Sequence, residues 1–245
     1  MRLLEPLTPD PRAPLAGAHP LAKIAAALVL IFALFITIDP LTPTLVLIAE
    51  VAAIPLIGIP LRALLRRALP AFIGAIGIGF FNALLSGDIT GGVAIGLRLV
   101  GIALAGIVAV ASIDPTDLSD ALVEHLHAPR RFTVGALAAF RLMPLFADEW
   151  QTIAMARRAR GLDNRRVTAF FSMTRSLLVA AIRRATRLAV AMDGRGFADP
   201  GCRTLARPQP FAKRDWWTIA AAITVALGAS LLSIAAESWR FFLLR

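Results

Sequence analysis

Residues 93–112, VAIGLRLVGIALAGIVAVAS, form a run of twenty residues with a single charged side chain, Arg98. A helix rising about 1.5 Å per residue covers roughly 30 Å over this length, the thickness of a bilayer's hydrocarbon core. The run is therefore predicted to cross a membrane. Gly96, Gly101 and Gly106 lie within it, and Gly74, Gly77 and Gly79 stud the apolar run before it, 69–85. Small residues let helices approach closely in lipid, so these two runs are predicted to pack together.

Three further apolar runs extend the pattern. Residues 24–38 lie between Lys23 and Asp39-Pro40, and residues 44–59 carry Pro55 and end at Pro60. Residues 216–236 open with Arg214 and the pair Trp216-Trp217, which suits a membrane interface. With 58% hydrophobic and 17% charged residues, the composition is too apolar for a soluble globule and predicts an integral membrane protein. No small-residue cleavage site follows the first run, so it reads as a retained span rather than a signal peptide. Residues 1–20, with Pro6, Pro9, Pro11, Pro14 and Pro20, read as an irregular tail. The single cysteine, Cys202, excludes an internal disulfide and a cysteine-built metal cluster.

Orientation follows from the short loops. Arg62, Arg66 and Arg67 separate the second and third runs, whereas 39–43 and 86–92 hold no Lys or Arg. The positive-inside rule places the N-terminus and residues 60–68 in the cytoplasm, and by parity the chain after residue 112 begins there too. Parity then puts the C-terminal tail outside, while Arg240 and Arg245 favour the inside, so the number of spans stays open. The expected division is 1–112, an N-terminal tail and four spans; 113–214, a cytoplasmic or interfacial region; and 215–245, a last span and tail.

In the middle region, Asp114-Pro115 is a good helix start, with Leu118, Ala121, Leu122, His125 and Leu126 along one face. Residues 132–146 and 167–182 are apolar but short, and each carries an arginine, Arg141 or Arg175. Charge at mid-bilayer is costly, so both are expected to lie within the protein or along the inner interface. Residues 130–214 hold 17 of the 26 Lys/Arg and 5 of the 16 Asp/Glu, a local net charge of +12, against −2 for the remainder. Two amphipathic stretches in this region, 148–161 and 183–196, end alike, in Ala159-Arg160-Gly161 and Gly194-Arg195-Gly196. Arginine followed by glycine is a sound way to end a helix. An arginine at an exposed helix tip can also take a partner's carboxylate with a bidentate pair.

These residues resemble the T component (CbiQ/EcfT type) of energy-coupling-factor transporters over nearly the whole chain. The resemblance runs through His19-Pro20-Leu21-Ala22-Lys23, Asp114 to Leu122, and Phe140-Arg141-Leu142-Met143-Pro144-Leu145. Its most specific parts are Ala156 to Gly161 and Ala191 to Phe197. It implies an all-α integral membrane protein with about five transmembrane helices plus a cytoplasmic coupling domain of amphipathic helices. It further implies a multi-pass protein of a prokaryotic cell membrane, the non-catalytic coupling subunit of an ATP-driven vitamin or transition-metal-ion uptake transporter. The implied partners are two ABC-type ATPases, which carry ATP and Mg, and a membrane substrate-binding S component. The docking residues would be Ala159, Arg160, Gly161, Gly194, Arg195 and Gly196. Gly194 departs from the family's alanine, and a helical glycine costs up to ~1 kcal/mol relative to alanine. From the residues themselves, Trp150, Ile153, Phe170, Phe171, Leu177, Leu178, Leu188 and Met192 are assigned to an apolar platform for the S component.

Other chemistry finds little support. His125 and His127 are two apart and face different sides of a helix, and no cysteine or acidic set completes a metal site with them or with His19. No phosphate-binding glycine loop or catalytic motif occurs, and the basic region lacks the aromatic interleaving of a nucleic-acid binder. A self-contained channel or secondary carrier is the alternative, but it should line several spans with polar residues, and few are present. Glu50 and Arg98 both lie about 8–9 Å into their spans from the outer side. Either they form an ion pair, or Arg98 snorkels outward while Glu50 stays neutral.

Overall fold

The computed structural model describes residues 13–37, 39–162, 167–197 and 207–236. Among these residues the elements are eight helices: α1 (Pro20–Ile36), α2 (Leu41–Ile57), α3 (Leu61–Ser86), α4 (Ile89–Ala111), α5 (Pro115–His125), α6 (Arg130–Ala159), α7 (Val167–Asp193) and α8 (Lys213–Ala235). They fall into two compact units, one of α1–α5 with α8 and the other of α6 and α7, with boundaries at Leu126/His127 and Arg207/Pro208. The second unit is thus narrower than the expected 113–214. The helix α5 belongs to the first unit because its last turn bonds to the chain just before α8, where Glu124 Oε2 accepts from Gln209 N at 2.7 Å.

Local capping explains several boundaries. Asp114 accepts from Thr116 N at 2.7 Å with Pro115 behind it, as its position predicts. The fourth apolar run starts its helix at Ile89, a turn before Val93, because Asp88 caps it through Thr90 N at 3.0 Å. The third begins at Leu61, so Arg62, Arg66 and Arg67 ride on its first two turns instead of a loop. Among the described residues three helices, α3, α4 and α8, are long and apolar enough to cross a membrane. The other two expected spans, α1 and α2, are apolar but only 17 residues each, about 25 Å of helix.

Where α3 crosses α4, backbone meets backbone. A Cβ on Gly92 would lie 2.4 Å from Ala83 Cβ and 2.7 Å from Gly79 O, and one on Gly79 would lie 2.8 Å from Gly92 O. The pairing of the two glycine-bearing runs is as predicted, but Gly74, Gly77 and Gly106 take no part in it and face open space. Leu34, Val46 and Ala229 form one buried cluster, and Ile54, Ile59, Leu64, Leu104 and Ala111 another. Polar ties fix the helix ends. Asp39 Oδ2 accepts from Thr42 N, Thr42 Oγ1 and Ser233 Oγ, each at 2.7 Å, joining the α1–α2 turn to α8.

At the opposite ends of α1 and α8, Asp215 accepts from His19 N and Ala212 N, both at 2.7 Å. His19 stacks on Phe211 at 4.1 Å and meets His125 edge-on at 4.9 Å, and both imidazole Nε2 atoms reach the Gln209 carbonyl, at 3.2 and 2.9 Å. His19 Nδ1 accepts from Leu21 N, so its Nε2 carries the proton. Burial, then the neighbouring His125, hold the His19 imidazole below its ordinary value, against the opposing pull of the Gln209 carbonyl, Asp215 and Glu124. A depressed histidine value means that the unfolded chain binds the proton more readily. Stability is therefore complete above pH about 6.5 and falls as pH drops from there toward the folded value. Thermal unfolding between pH 5 and 8 should show this loss on the acid side, and His19→Gln should flatten it.

Candidate functional site

The second unit is a two-helix hairpin. Arg157 Nη1 donates to Ser172 Oγ at 3.2 Å near the turn, and farther along Arg184 pairs with Glu149 at 3.1 Å while its guanidinium sits 5.6 Å from the Phe146 ring. The helices therefore run in opposite directions. Both are longer than expected. The apolar segment 132–146 continues through 148–159 as the single helix α6 with Pro144 inside it, and 167–182 continues through Asp193 as α7. Arg183 and Arg184, read as the start of a separate helix, are mid-helix.

The two arginine-glycine ends share one geometry. At the first, Gly161 adopts φ 71°, Gly161 N donates to Arg158 O at 2.9 Å, and Leu162 N donates to Arg157 O at 3.1 Å. At the second, Gly196 adopts φ 71°, Gly196 N donates to Asp193 O at 2.8 Å, and Phe197 N donates to Met192 O at 3.0 Å. Both are Schellman caps, in which a left-handed residue turns the chain back to satisfy the last carbonyls. Arg160 and Arg195 thus occupy the same cap position, and both are exposed. A cation there complements the negative end of the helix dipole. Because the helices are antiparallel and α7 has 27 residues, the tips lie at opposite ends of the hairpin, on the order of 40 Å apart.

Gly194 keeps its helical bond, with its N–H donating to Val190 O at 2.9 Å, so the final turn is formed despite the missing alanine. A Cβ there would make ordinary contact, 3.5 Å from Val190 O. Gly194→Ala should accordingly stabilise the second tip by up to about 1 kcal/mol, read as slower amide exchange over residues 190–197. Gly161→Ala and Gly196→Ala have open space around them but a left-handed backbone, and should lose roughly 1 kcal/mol or more in the same measurement.

Between the helices runs an apolar groove of about 760 Å³, lined by Leu142, Phe146, Ile182, Leu188, Met192 and Phe197 over a floor of glycine and alanine. Of the residues assigned to a platform, Leu188 and Met192 line this groove. Trp150 instead packs on Phe170 at 5.6 Å, with Phe171 against Phe170 at 6.0 Å. Phe170, Phe171 and Leu178 are exposed, and Ile153 and Leu177 are half-buried. Phe197, read from the sequence only as the end of the second motif and not assigned to the platform, lines the groove too, and its place directly after the capping glycine is where a hydrophobic residue returns to the helix.

The proposed Glu50–Arg98 pair does not form. Both Glu50 carboxyl oxygens are buried with no hydrogen-bond partner. Arg98 Nη2 donates to Phe35 O at 2.7 Å, and its guanidinium stands 5.1 Å from the Phe35 ring. Arg98 thus satisfies a carbonyl in the last turn of α1, which has no intrahelical partner to offer it.

Fold and hairpin together define a multi-pass helical membrane protein that presents two matched arginine tips on a separate unit. The profile of the family described as CbiQ, cobalt transport protein, matches residues 12–204. The chain is 31% identical over 150 residues to the energy-coupling factor transporter transmembrane protein EcfT of Staphylococcus aureus, covering 56% of each chain. It is 33% identical over 159 residues to the EcfT of Limosilactobacillus fermentum, covering 59% of each. To that of Thermanaerovibrio acidaminovorans it is 30% identical, covering 91% of this chain and 90% of the relative. Against the S. aureus and L. fermentum proteins, then, the chain spans somewhat over half of the relative's length. The chain belongs to the CbiQ/EcfT family of energy-coupling-factor transporter T components.

Proposed function

We propose that this protein is the non-catalytic coupling subunit of an ATP-driven uptake transporter for a micronutrient, a vitamin or a transition-metal ion. Arg160 and Arg195 dock on two ABC-type ATPase subunits, which bind and hydrolyse ATP with Mg. The hairpin passes their motion to a membrane S component that holds the substrate. The observation that carries this reading is the pair of identically capped arginine tips at opposite ends of one hairpin. Tips so far apart cannot share one pocket, and each offers a planar five-donor fork suited to a carboxylate. The groove containing Leu188, Met192 and Phe197 supports an apolar contact with the S component. Affinity purification of the tagged chain from its native membrane tests the proposal. Two ATPase subunits and one further small membrane protein per chain are expected, and a chain recovered without any ATPase contradicts it.

A further inference from the structure

Two stretches of chain join the first unit to the hairpin, one leaving after Leu126 and the other returning at Pro208. Both meet at the last turn of α5. The returning strap, Pro208-Gln209-Pro210, has a single backbone N–H, at Gln209, because proline has none. That N–H donates to Glu124 Oε2 at 2.7 Å, and the carbonyl of the same residue accepts from His125 Nε2 at 2.9 Å and His19 Nε2 at 3.2 Å. Consecutive α5 residues thus grip both backbone groups of Gln209. Its side chain reaches back along α5 to Asp117 Oδ1 at 3.4 Å, and the Phe211 ring lies 4.1 Å from that of His19 and 5.0 Å from that of His125. A residue before proline favours extended backbone, so Pro210 restricts Gln209 before any of these bonds form. On the outgoing side α5 ends at His125, and His127 takes a left-handed backbone, φ 52°, alone among the described non-glycine residues. The chain therefore turns out of α5 two residues from where the strap is held.

We propose that this clasp is a pivot: Glu124 and His125 are positioning residues that hold the two connections together, so that the hairpin turns about one point of the first unit. The mechanical reason is spacing. Connections fixed far apart would resist rotation of one unit against the other, whereas two fixed side by side act as one joint and still carry force. The strap cannot lengthen by peeling, because it is held at the second residue inside the unit boundary. Nor is the clasp needed to start α8, since Asp215 already caps that helix through Ala212 N. That the hairpin is driven through this joint rests on the coupling role proposed above; the joint itself does not.

The test uses the full-length chain in lipid nanodiscs, with Cys202 replaced by serine and nitroxide pairs read by double electron–electron resonance. One pair spans the units, at positions 61 and 152, and the controls lie within the first unit, at 61 and 227, and within the hairpin, at 152 and 191. Glu124→Ala should broaden the spanning distribution and leave both controls unchanged, and Glu124→Gln, whose side-chain oxygen still accepts, should restore the wild-type width. In the wild-type chain the Gln209 amide, isolated between two prolines, should exchange at least roughly tenfold below the rate of an unstructured peptide. An unprotected Gln209 amide, an unchanged spanning width in Glu124→Ala, equal broadening of the controls, or a width that Glu124→Gln fails to restore overturns the pivot. Should Glu124→Ala not fold, His125→Ala takes its place, and an unchanged width there overturns it equally. In the complex with its ATPases, ATP should shift the spanning distance of the wild type, and Glu124→Ala should lose that shift while still hydrolysing ATP. A shift retained in Glu124→Ala overturns the positioning role, whereas a wild-type complex without a shift contradicts the coupling role instead.

Discussion

Replacing Arg160 and Arg195 together by glutamate is expected to abolish recovery of the ATPase subunits with the tagged chain while leaving the chain itself in the membrane. Both side chains are exposed at cap positions, and their caps are made by backbone bonds from glycine and the residue after it. Neither substitution therefore removes a contact that the hairpin needs. Losing one member of a desolvated charge pair typically costs about 2–5 kcal/mol, so each single variant should weaken association by roughly thirty-fold or more. The tips are far enough apart for the two losses to add. Arg160→Lys should fall between, because it keeps the charge but loses the planar fork. Quantified recovery from solubilised membranes reads all four, and an intact complex with the double variant would remove the docking role.

The second large effect is expected inside the membrane unit. Gly92→Val should destabilise the fold by about 3 kcal/mol, the upper end of what overpacking costs, because the added atoms meet Ala83 and the backbone carbonyl of Gly79 rather than a flexible side-chain end. Relief would require α3 and α4 to separate, exposing their close-packed seam. Gly74→Val, on the same pair of helices but facing open space, should be nearly neutral. Thermal unfolding in detergent distinguishes them, and equal midpoints for the two variants would show that the crossing lies elsewhere.

That contrast also marks how far the sequence could be read. The run 93–112 announces its helix because length and apolarity suffice, and the glycines announce that α3 and α4 meet. Which glycines touch depends on helix rotation, so Gly79 could not be told from Gly74 and Gly77 by spacing, and Gly92 lay in the expected loop 86–92, outside the apolar run. Depth but not direction was legible for Glu50 and Arg98 as well. Residue counting placed them at one level, while the fold turned Arg98 to the end of α1 and buried the Glu50 carboxyl without a partner.

In the hairpin, the acids and arginines of 148–149 and 183–184 looked like breaks between short helices. They are the ion pair Arg184–Glu149, holding two long helices together, and only the antiparallel pairing reveals it. The arginine tips were legible for a local reason. A Schellman cap is written in four or five consecutive residues, so Gly161 and Gly196 disclose it without knowledge of the rest. The groove beside Phe197 is not local and needed both helices.

Cysteine cross-linking tests the central claim most directly. With Cys202 replaced by serine, a cysteine introduced at position 160 and another at 195 are linked in native membranes to the co-expressed ATPases, and the products are sized. One chain joined to two separate ATPase subunits, one from each tip, is the expected product. Both positions linked to a single ATPase, or neither linked while the complex stays intact, would contradict the account.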